Sequence, residues 1–169
     1  MPVVPVCRPF LIAIAIAGIA IASPVAHAAP DACALLTAAE LSAAVGQPLG
    51  PPARSELADG SGGGQCMYGY GGTNQFGIEL WQFASAAEAQ KKFSSELSDS
   101  DKNAIGSQKP TTESGVGEGA FSKAGGLASM KAIEWMAVRG PRVVHILVIA
   151  NNVPSHDRLR GLMLAALGR

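Results

Sequence analysis

Three side chains capable of acid–base chemistry fall in segments that alternate in the manner of β-strands. Glu79 and Glu134 each lie among alternating apolar residues, and His145 lies between Val144 and Ile146. General-base catalysis needs a positioned partner, and the sequence fixes no distance between these three groups. A single histidine in an apolar strand is usually a packing residue. We therefore predict no catalytic residue, and a hydrolase that uses Glu79, Glu134 or His145 is the alternative.

A glycine motif partly matches the dinucleotide-binding fingerprint. Gly115, Gly117 and Ala120 have the spacing G-x-G-x-x-A. The fingerprint requires a strand before it and a helix after it, within a βαβ unit. Residues 109–112 and 121–123 supply neither, so we expect a turn that leads into a strand. The sequence also lacks Gly-x-Ser-x-Gly, His-Glu-x-x-His and a P-loop, and we predict no cofactor.

The front of the chain predicts export. Residues 10–22 form an unbroken apolar run, and Ala26-His27-Ala28 supplies the small-x-small pattern of a cleavage site. We expect residues 1–28 to be a cleaved signal peptide, which places residues 29–169 in the periplasm or outside the cell without a stable membrane span. A membrane anchor is disfavoured because a spanning helix needs about 20 apolar residues. A lipoprotein at Cys33 is disfavoured because no small apolar triplet precedes it.

Two cysteines, Cys33 and Cys66, remain after the signal is removed. In an oxidising compartment a disulfide is the expected state, and closing a loop of about 33 residues would stabilise the fold by roughly 3–4 kcal/mol. A redox-active pair usually has the spacing C-x-x-C, which is not present. Two cysteines and two scattered histidines do not make a zinc ligand set, so we predict no metal site.

Composition limits the partners of the domain. Of the 169 residues, 141 remain after cleavage, which suits one domain. The 13 basic and 13 acidic residues of the full chain become a net charge of −1 once Arg8 is removed. A neutral domain without basic clusters argues against nucleic-acid binding, which depends on phosphate neutralisation. It argues equally against docking on anionic lipid.

Apolar periodicity predicts an α+β domain of two layers, with three helices packed on one face of an antiparallel sheet of about five strands. The predicted order is α-β-β-α-β-β-β-α. Capping boxes start at Thr37 and Ser85, and Ser155 caps the last helix. Residues 47–65 are expected to form a long surface loop, and residues 98–114 an irregular segment. The predicted helices are 38–45, 85–97 and 155–167, and the predicted strands are 66–70, 76–83, 116–122, 130–139 and 142–150, with a hairpin turn at 71–74.

Two tryptophans offer a candidate binding surface. Trp81 and Trp135 each lie in a predicted strand among mixed apolar and charged neighbours. If they share a sheet face that the helices leave open, they form an aromatic surface suited to a ligand or a partner protein. The alternative, which we favour, is that both rings belong to the core, because a domain of this size needs its few aromatics inside.

The opening of the mature chain resembles a family of small exported domains. The segment 31–46 is similar to the pattern D-x-C-x-L-L-T-x-x-E-(V/L)…(L/V)-G, and Cys66-Met67-Tyr68 supplies a second cysteine followed by an aromatic. Residues 115–120 resemble a G-(L/V)-G-(D/E)-x-A segment. These features resemble the DUF3558-type envelope proteins and, more loosely, Mog1/PsbP-like envelope domains. The resemblance implies a mixed antiparallel sheet with flanking helices, a Cys–Cys bridge near the first helix and no established catalysis.

These observations predict an exported, non-catalytic domain that binds an envelope component, a small apolar ligand or a partner protein. One alternative is a secreted inhibitor or accessory protein that presents the loop 47–65. The other is the hydrolase described above. The sequence names neither the ligand nor the partner.

Overall fold

The computed structural model describes residues 30–58, 61–70, 74–102, 108–127 and 130–169. The predicted signal peptide and most of the predicted hairpin turn at 71–74 lie outside these residues. The described residues form three α-helices, a short 3-10 turn at Ala32–Ala34 and seven β-strands. The helices are α1 (Ala38–Val45), α2 (Ala86–Lys102) and α3 (His156–Gly168); the strands are β1 (Ala53–Glu56), β2 (Gly64–Tyr70), β3 (Asn74–Gln82), β4 (Thr111–Thr112), β5 (Gly119–Leu127), β6 (Met130–Arg139) and β7 (Arg142–Ala150).

All seven described strands belong to one antiparallel sheet with the order β1-β2-β3-β7-β6-β5-β4. The β6–β7 hairpin turns at Gly140-Pro141, between the two strands that the sequence predicts, and Gly140 has a positive φ of 55°. The chain leaves the sheet after β3, forms α2, builds the β4–β5–β6 edge and returns with β7 beside β3. The carboxyl half of the chain therefore supplies the central strand.

The α+β class, the three helices and the antiparallel sheet agree with the prediction, but the strand number and the layering do not. The sheet has seven strands rather than about five. Strand β1 lies inside the predicted loop 47–65, and β4 lies inside the predicted irregular segment 98–114. All the residues of β1 and β4 are exposed, so neither strand has the apolar alternation by which a strand is recognised.

The helices pack on both faces of the sheet, not on one face as predicted. Helices α1 and α3 cover one face, and α2 crosses β6 and β7 on the other. Apolar residues lie on both sides of β7, as in a strand that is covered on both faces, but they do not show which helix lies on which side. Val144 and Ile146 face α3, whereas Val143 faces α2. The fold therefore has three layers.

Two apolar clusters follow from this arrangement. The larger cluster lies under α1 and α3 and includes Leu41, Phe76, Trp135, Ile146 and Met163, which are at most 1% exposed. The smaller cluster lies under α2 and contains Trp81, Ala89, Phe93, Phe121, Met136, Val138 and Val143. Helix α2 covers only part of its face of the sheet. The candidate site lies on the uncovered part of that face.

Local signals in the sequence account for the helix starts. The capping box at Thr37 is present: Thr37 Oγ1 accepts a hydrogen bond from the Glu40 amide, and Glu40 accepts one from the Thr37 amide. Ser155 caps α3 by accepting a bond from the Arg158 amide. At the front of the described chain, Cys33 and Cys66 are joined by a disulfide that fastens the 3-10 turn to β2.

Candidate functional site

A row of polar side chains crosses the sheet on the α2 face. Ser55, Gln65, Glu79 and His145 lie directly opposite one another in β1, β2, β3 and β7. Because cross-strand partners point to the same face, one polar residue at the same level of each strand is enough to build this row. The row continues with Glu134 of β6 and Lys123 of β5, which also pair with each other. We call these six residues the polar ladder.

Hydrogen bonds and ion pairs join the polar ladder from end to end. Ser55 Oγ lies 3.2 Å from Gln65 Oε1, and Gln65 Nε2 donates to Glu79 Oε1 at 2.9 Å. Glu79 Oε2 lies 2.9 Å from His145 Nδ1, and Glu134 Oε2 lies 3.6 Å from His145 Nε2. His145 thus lies between two carboxylates that belong to the strands on either side of it.

Helix α2 contributes to the far end of the polar ladder through Ser100. Its hydroxyl donates to Glu134 Oε1 at 2.8 Å, and its carbonyl accepts a bond from Lys123 Nζ at 3.0 Å. Lys123 Nζ also lies 3.9 Å from Glu134 Oε1. The ladder therefore ties the last turns of the helix to β5 and β6.

The two carboxylates hold His145 in its charged form. Its side chain is 13% exposed, and this burial alone would lower the pKa of the imidazole. Hydrogen bonds and charge interactions with Glu134 and Glu79 outweigh burial and raise the pKa of His145 to about 9. Burial raises the pKa of Glu134, but its bonds with His145 and Ser100 and the charge of Lys123 bring the net shift below the ordinary value. The central unit of the ladder is therefore an imidazolium held by two carboxylates.

A groove runs beside the polar ladder between α2 and the β1 edge of the sheet. Its volume is about 600 Å³. Residues 55–58 form one wall, Lys92 and Glu96 of α2 form the other, and the floor contains Gln65, Glu79, Trp81, Met136 and His145. We call this the α2 groove. A smaller cavity of about 220 Å³ shares Glu96, Met136 and His145 with it and reaches Lys123 and Glu134, so the open space follows the ladder across the sheet.

The lining of the α2 groove combines apolar surface with charge. Leu57, Trp81 and Met136 supply the apolar part, and Trp81 itself is only 4% exposed. Lys92 Nζ lies 4.8 Å from the centre of the Trp81 ring and 2.7 Å from Glu96 Oε1. This arrangement is a cation–π contact with an adjacent counter-charge.

The structure brings Glu79, Glu134 and His145 together, which the sequence left open. A doubly engaged imidazolium is a poor general base, because it carries the proton that a base would have to accept. Among the described residues, no group of three or more His, Cys, Asp or Glu side chains is arranged to hold a metal ion. At neutral pH the cluster therefore presents charge and hydrogen bonds.

The two tryptophans do not form the shared surface considered above. Trp81 belongs to the α2 face, and Trp135 belongs to the opposite face under α3. Trp135 is 0% exposed, and the centre of its ring lies 4.8 Å from that of His156, with the two ring planes tilted by 49°. The two rings lie on opposite faces because Trp81 pairs with Val143 and Trp135 pairs with Ile146, and these two residues of β7 point to opposite sides of the sheet. Trp81 alone reaches the groove.

The glycine motif forms a turn, as expected. Gly115 and Gly117 have positive φ angles of 69° and 61°, and strand β5 begins at Gly119. A Cβ at Gly117 would lie 2.3 Å from the carbonyl oxygen of Val138, so only glycine fits this approach. No helix follows, and the dinucleotide fingerprint has no structural counterpart here.

Several residues of the site carry no sequence signal of their own. Gln65, Lys92, Ser100 and Lys123 are ordinary polar residues until strand register and helix placement bring them to the ladder and groove. The segment 47–65 is not a free loop, because β1 within it pairs with β2.

Comparison with known proteins identifies the fold but no family. No family model matches the chain, and no curated protein matches it. Among solved structures, the chain is similar to the extracellular domain of PknH from Mycobacterium tuberculosis. The TM-score is 0.57 at 14% sequence identity, over 80% of this chain and 92% of that one. This likeness concerns the fold alone, and the resemblance to DUF3558-type proteins stays a prediction.

Within the described residues, no helix combines the length and the apolar character that crossing a membrane requires.

Proposed function

We propose that this chain is an exported, non-catalytic domain that binds a small ligand in the α2 groove. The observation that carries the proposal is the groove itself. Its volume of about 600 Å³ falls within the range of roughly 300–1,000 Å³ typical of ligand pockets, and it joins apolar side chains to converging polar ones. This combination favours a small ligand with both an apolar part and a polar group.

Export is supported by three independent features. The Cys33–Cys66 bridge suits an oxidising compartment, since disulfides are rare in the cytosol. The similar PknH structure is described as an extracellular domain. The front of the chain has the pattern of a cleaved signal peptide. Together they favour a periplasmic or secreted protein, as in the DUF3558-type families that the chain resembles.

A non-catalytic role is supported by the state of the most reactive-looking group. His145 has both ring nitrogens directed at carboxylates and a pKa of about 9. At neutral pH it holds Glu79 in the floor of the groove and Glu134 in the adjoining smaller cavity. Fixed acceptors of this kind orient a bound ligand.

Native mass spectrometry of protein purified from its own exported fraction tests the proposal. We expect extra mass that disappears when the same sample is denatured. The variant Ala58→Trp fills the groove from an exposed wall position and should release that mass. The matched control Ala43→Trp, exposed on α1 at the opposite face, should retain it.

Two results would overturn the proposal. Protein from the native source that carries no extra mass would contradict the binding of a small ligand. Hydrolysis of an ester or glycoside from a substrate panel, with the activity lost in His145→Gln, would show that the protein is a hydrolase.

A further inference from the structure

Lys92 already places a cation inside the α2 groove. Its ammonium lies over the Trp81 ring, 4.8 Å from the ring centre, and 2.7 Å from Glu96 Oε1. The Trp81 ring and the Glu96 carboxylate thus form a seat in which an aromatic face and a negative charge meet. We call this the cation seat. Aromatic faces stabilise ammonium groups most when the contact is shielded from water, and Trp81 is 4% exposed.

The charges around the cation seat favour another cation over an anion. Glu56, Glu79 and Glu96 line the α2 groove, against Lys92 and the charged His145. The groove thus has an excess of one negative charge before any ligand enters. Leu57 and Met136 provide apolar surface beside it. The lining as a whole complements an ammonium group carried on a short apolar stem, which is the chemistry that Lys92 itself presents.

We infer that the ligand of the α2 groove is an organic ammonium ion with a short apolar stem, and that it competes with Lys92 for the cation seat. This inference rests on the proposed binding function and specifies its ligand class. Lys92 has a flexible four-carbon stem and its side chain is 22% exposed, so its ammonium can turn toward solvent when a ligand ammonium takes its position. Competition of this kind has a distinctive signature, because removing the protein's own cation strengthens binding.

An isosteric charge series tests the ligand class on the full mature protein. The probes are hexylammonium, hexanoate and hexanol, titrated by ¹H–¹⁵N NMR with the Trp81 indole N–H as reporter. The chain has two tryptophans, so this signal is one of two. We expect hexylammonium to bind the groove, hexanol to bind more weakly and hexanoate to bind weakest.

Two variants test the cation seat. Lys92→Gln should tighten hexylammonium binding by about three- to tenfold, because the competing cation is gone. Glu96→Gln should weaken it by a similar factor. Lys91→Gln is the matched control: it removes a positive charge from the adjacent exposed position of α2, outside the groove lining, and should leave the dissociation constant within about twofold.

The outcomes separate this inference from the proposed function. Equal binding of hexylammonium and hexanol, or a Lys92→Gln effect no larger than that of Lys91→Gln, would overturn the cation seat. A native ligand seen by mass spectrometry that is neutral or anionic would do the same and leave the binding function standing. Failure of all three probes to shift groove signals would also refute the inference, while the native mass decides the proposed function independently.

Discussion

The two faces of the sheet use the same central strands and present opposite chemistry. Toward α1 and α3, β6 and β7 present Trp135, Ile146 and Val148, each 0% exposed. Toward α2, the same strands present Glu134 and His145, in the polar ladder beside the groove. Two helices seal these residues from water, whereas a single helix leaves part of the second face open to water.

This difference shows how a small domain can afford a polar site. A charged group under α1 and α3 would lose its solvation entirely, at a cost of several kcal/mol without a partner. On the α2 face every charged member of the polar ladder has a partner and keeps part of its surface in contact with water. The covered face thus holds the larger apolar core, and the open face holds a smaller core together with the charged residues of the polar ladder.

Replacing the tryptophan on each face should give the largest change in stability and tests the contrast between the two faces. Trp135→Ala should lower the free energy of unfolding by about 3–5 kcal/mol, since a sealed core cannot collapse around the cavity. Trp81→Ala should cost at least about 1 kcal/mol less, because the adjoining groove lets water and Lys92 occupy the space. Urea unfolding followed by circular dichroism measures both losses.

The control for this pair is Trp135→Phe. Trp135 Nε1 is buried without a hydrogen-bond partner among the described residues, so the phenyl ring forfeits volume but no hydrogen bond. The variant should cost less than half of the Trp135→Ala loss. Equal losses for the two alanine variants would contradict the contrast between a sealed and an open face.

The disulfide gives the next largest effect, and it acts on the sealed face alone. It ties the buried Leu35–Leu36 segment to β2, and Cys66 is 0% exposed. Replacing both Cys33 and Cys66 by alanine should lower the free energy of unfolding by about 3–4 kcal/mol, from loop entropy in the unfolded chain. Hexylammonium binding should persist where the variant is folded. A loss below about 1 kcal/mol would show that packing alone holds the segment.

The polar ladder predicts a pH dependence that belongs to the open face. The pKa of His145 is raised from 6.5 to about 9 on folding, so its stabilising contribution is complete below pH 6.5 and disappears as the pH rises through about 9. The full contribution is on the order of 3 kcal/mol. Urea unfolding at pH 6 and pH 10 should therefore show a drop in wild type that His145→Gln lacks.

His156 supplies the control for this pH dependence. Its pKa is also raised, first through the hydrogen bond with Glu113, but its side chain is 53% exposed and solvent screens the interaction. His156→Gln should keep most of the wild-type drop. A drop that survives in His145→Gln would assign the pH dependence to other groups.

Much of the fold could be predicted from local signals. The boundaries of α1, β6 and β7 follow from the Thr37 capping box, from strand alternation and from the Gly140-Pro141 turn. Strands β1 and β4 could not be predicted, because their pairing comes from neighbouring strands and not from their own side chains. Which helix covers which face of the sheet was likewise out of reach. Apolar residues on both sides of β7 show that both faces are covered, but not by which helix.

The candidate site was much harder to predict than the fold. Glu79, Glu134 and His145 were recognised as the reactive groups, but their contact depends on register between strands that are far apart in the chain. The α2 groove depends on how far α2 covers the sheet, and nothing in the sequence distinguishes Lys92 from the other two lysines of α2. Residue type alone therefore identified the candidate residues, whereas their contacts depend on the tertiary structure.

The smallest expected loss of stability comes from the helix N-caps. It gives a direct comparison of the two faces, because each face has a helix with an equivalent cap. On the sealed face Thr37 accepts a bond from the Glu40 amide at 3.2 Å, and on the open face Ser85 accepts one from the Glu88 amide at 3.2 Å. Thr37→Ala and Ser85→Ala should each cost about 1 kcal/mol of unfolding free energy. Only Ser85→Ala should weaken hexylammonium binding, since Lys92 and Glu96 sit on the helix that it loosens. Equal binding by both variants would mean that the groove does not depend on how firmly α2 is held.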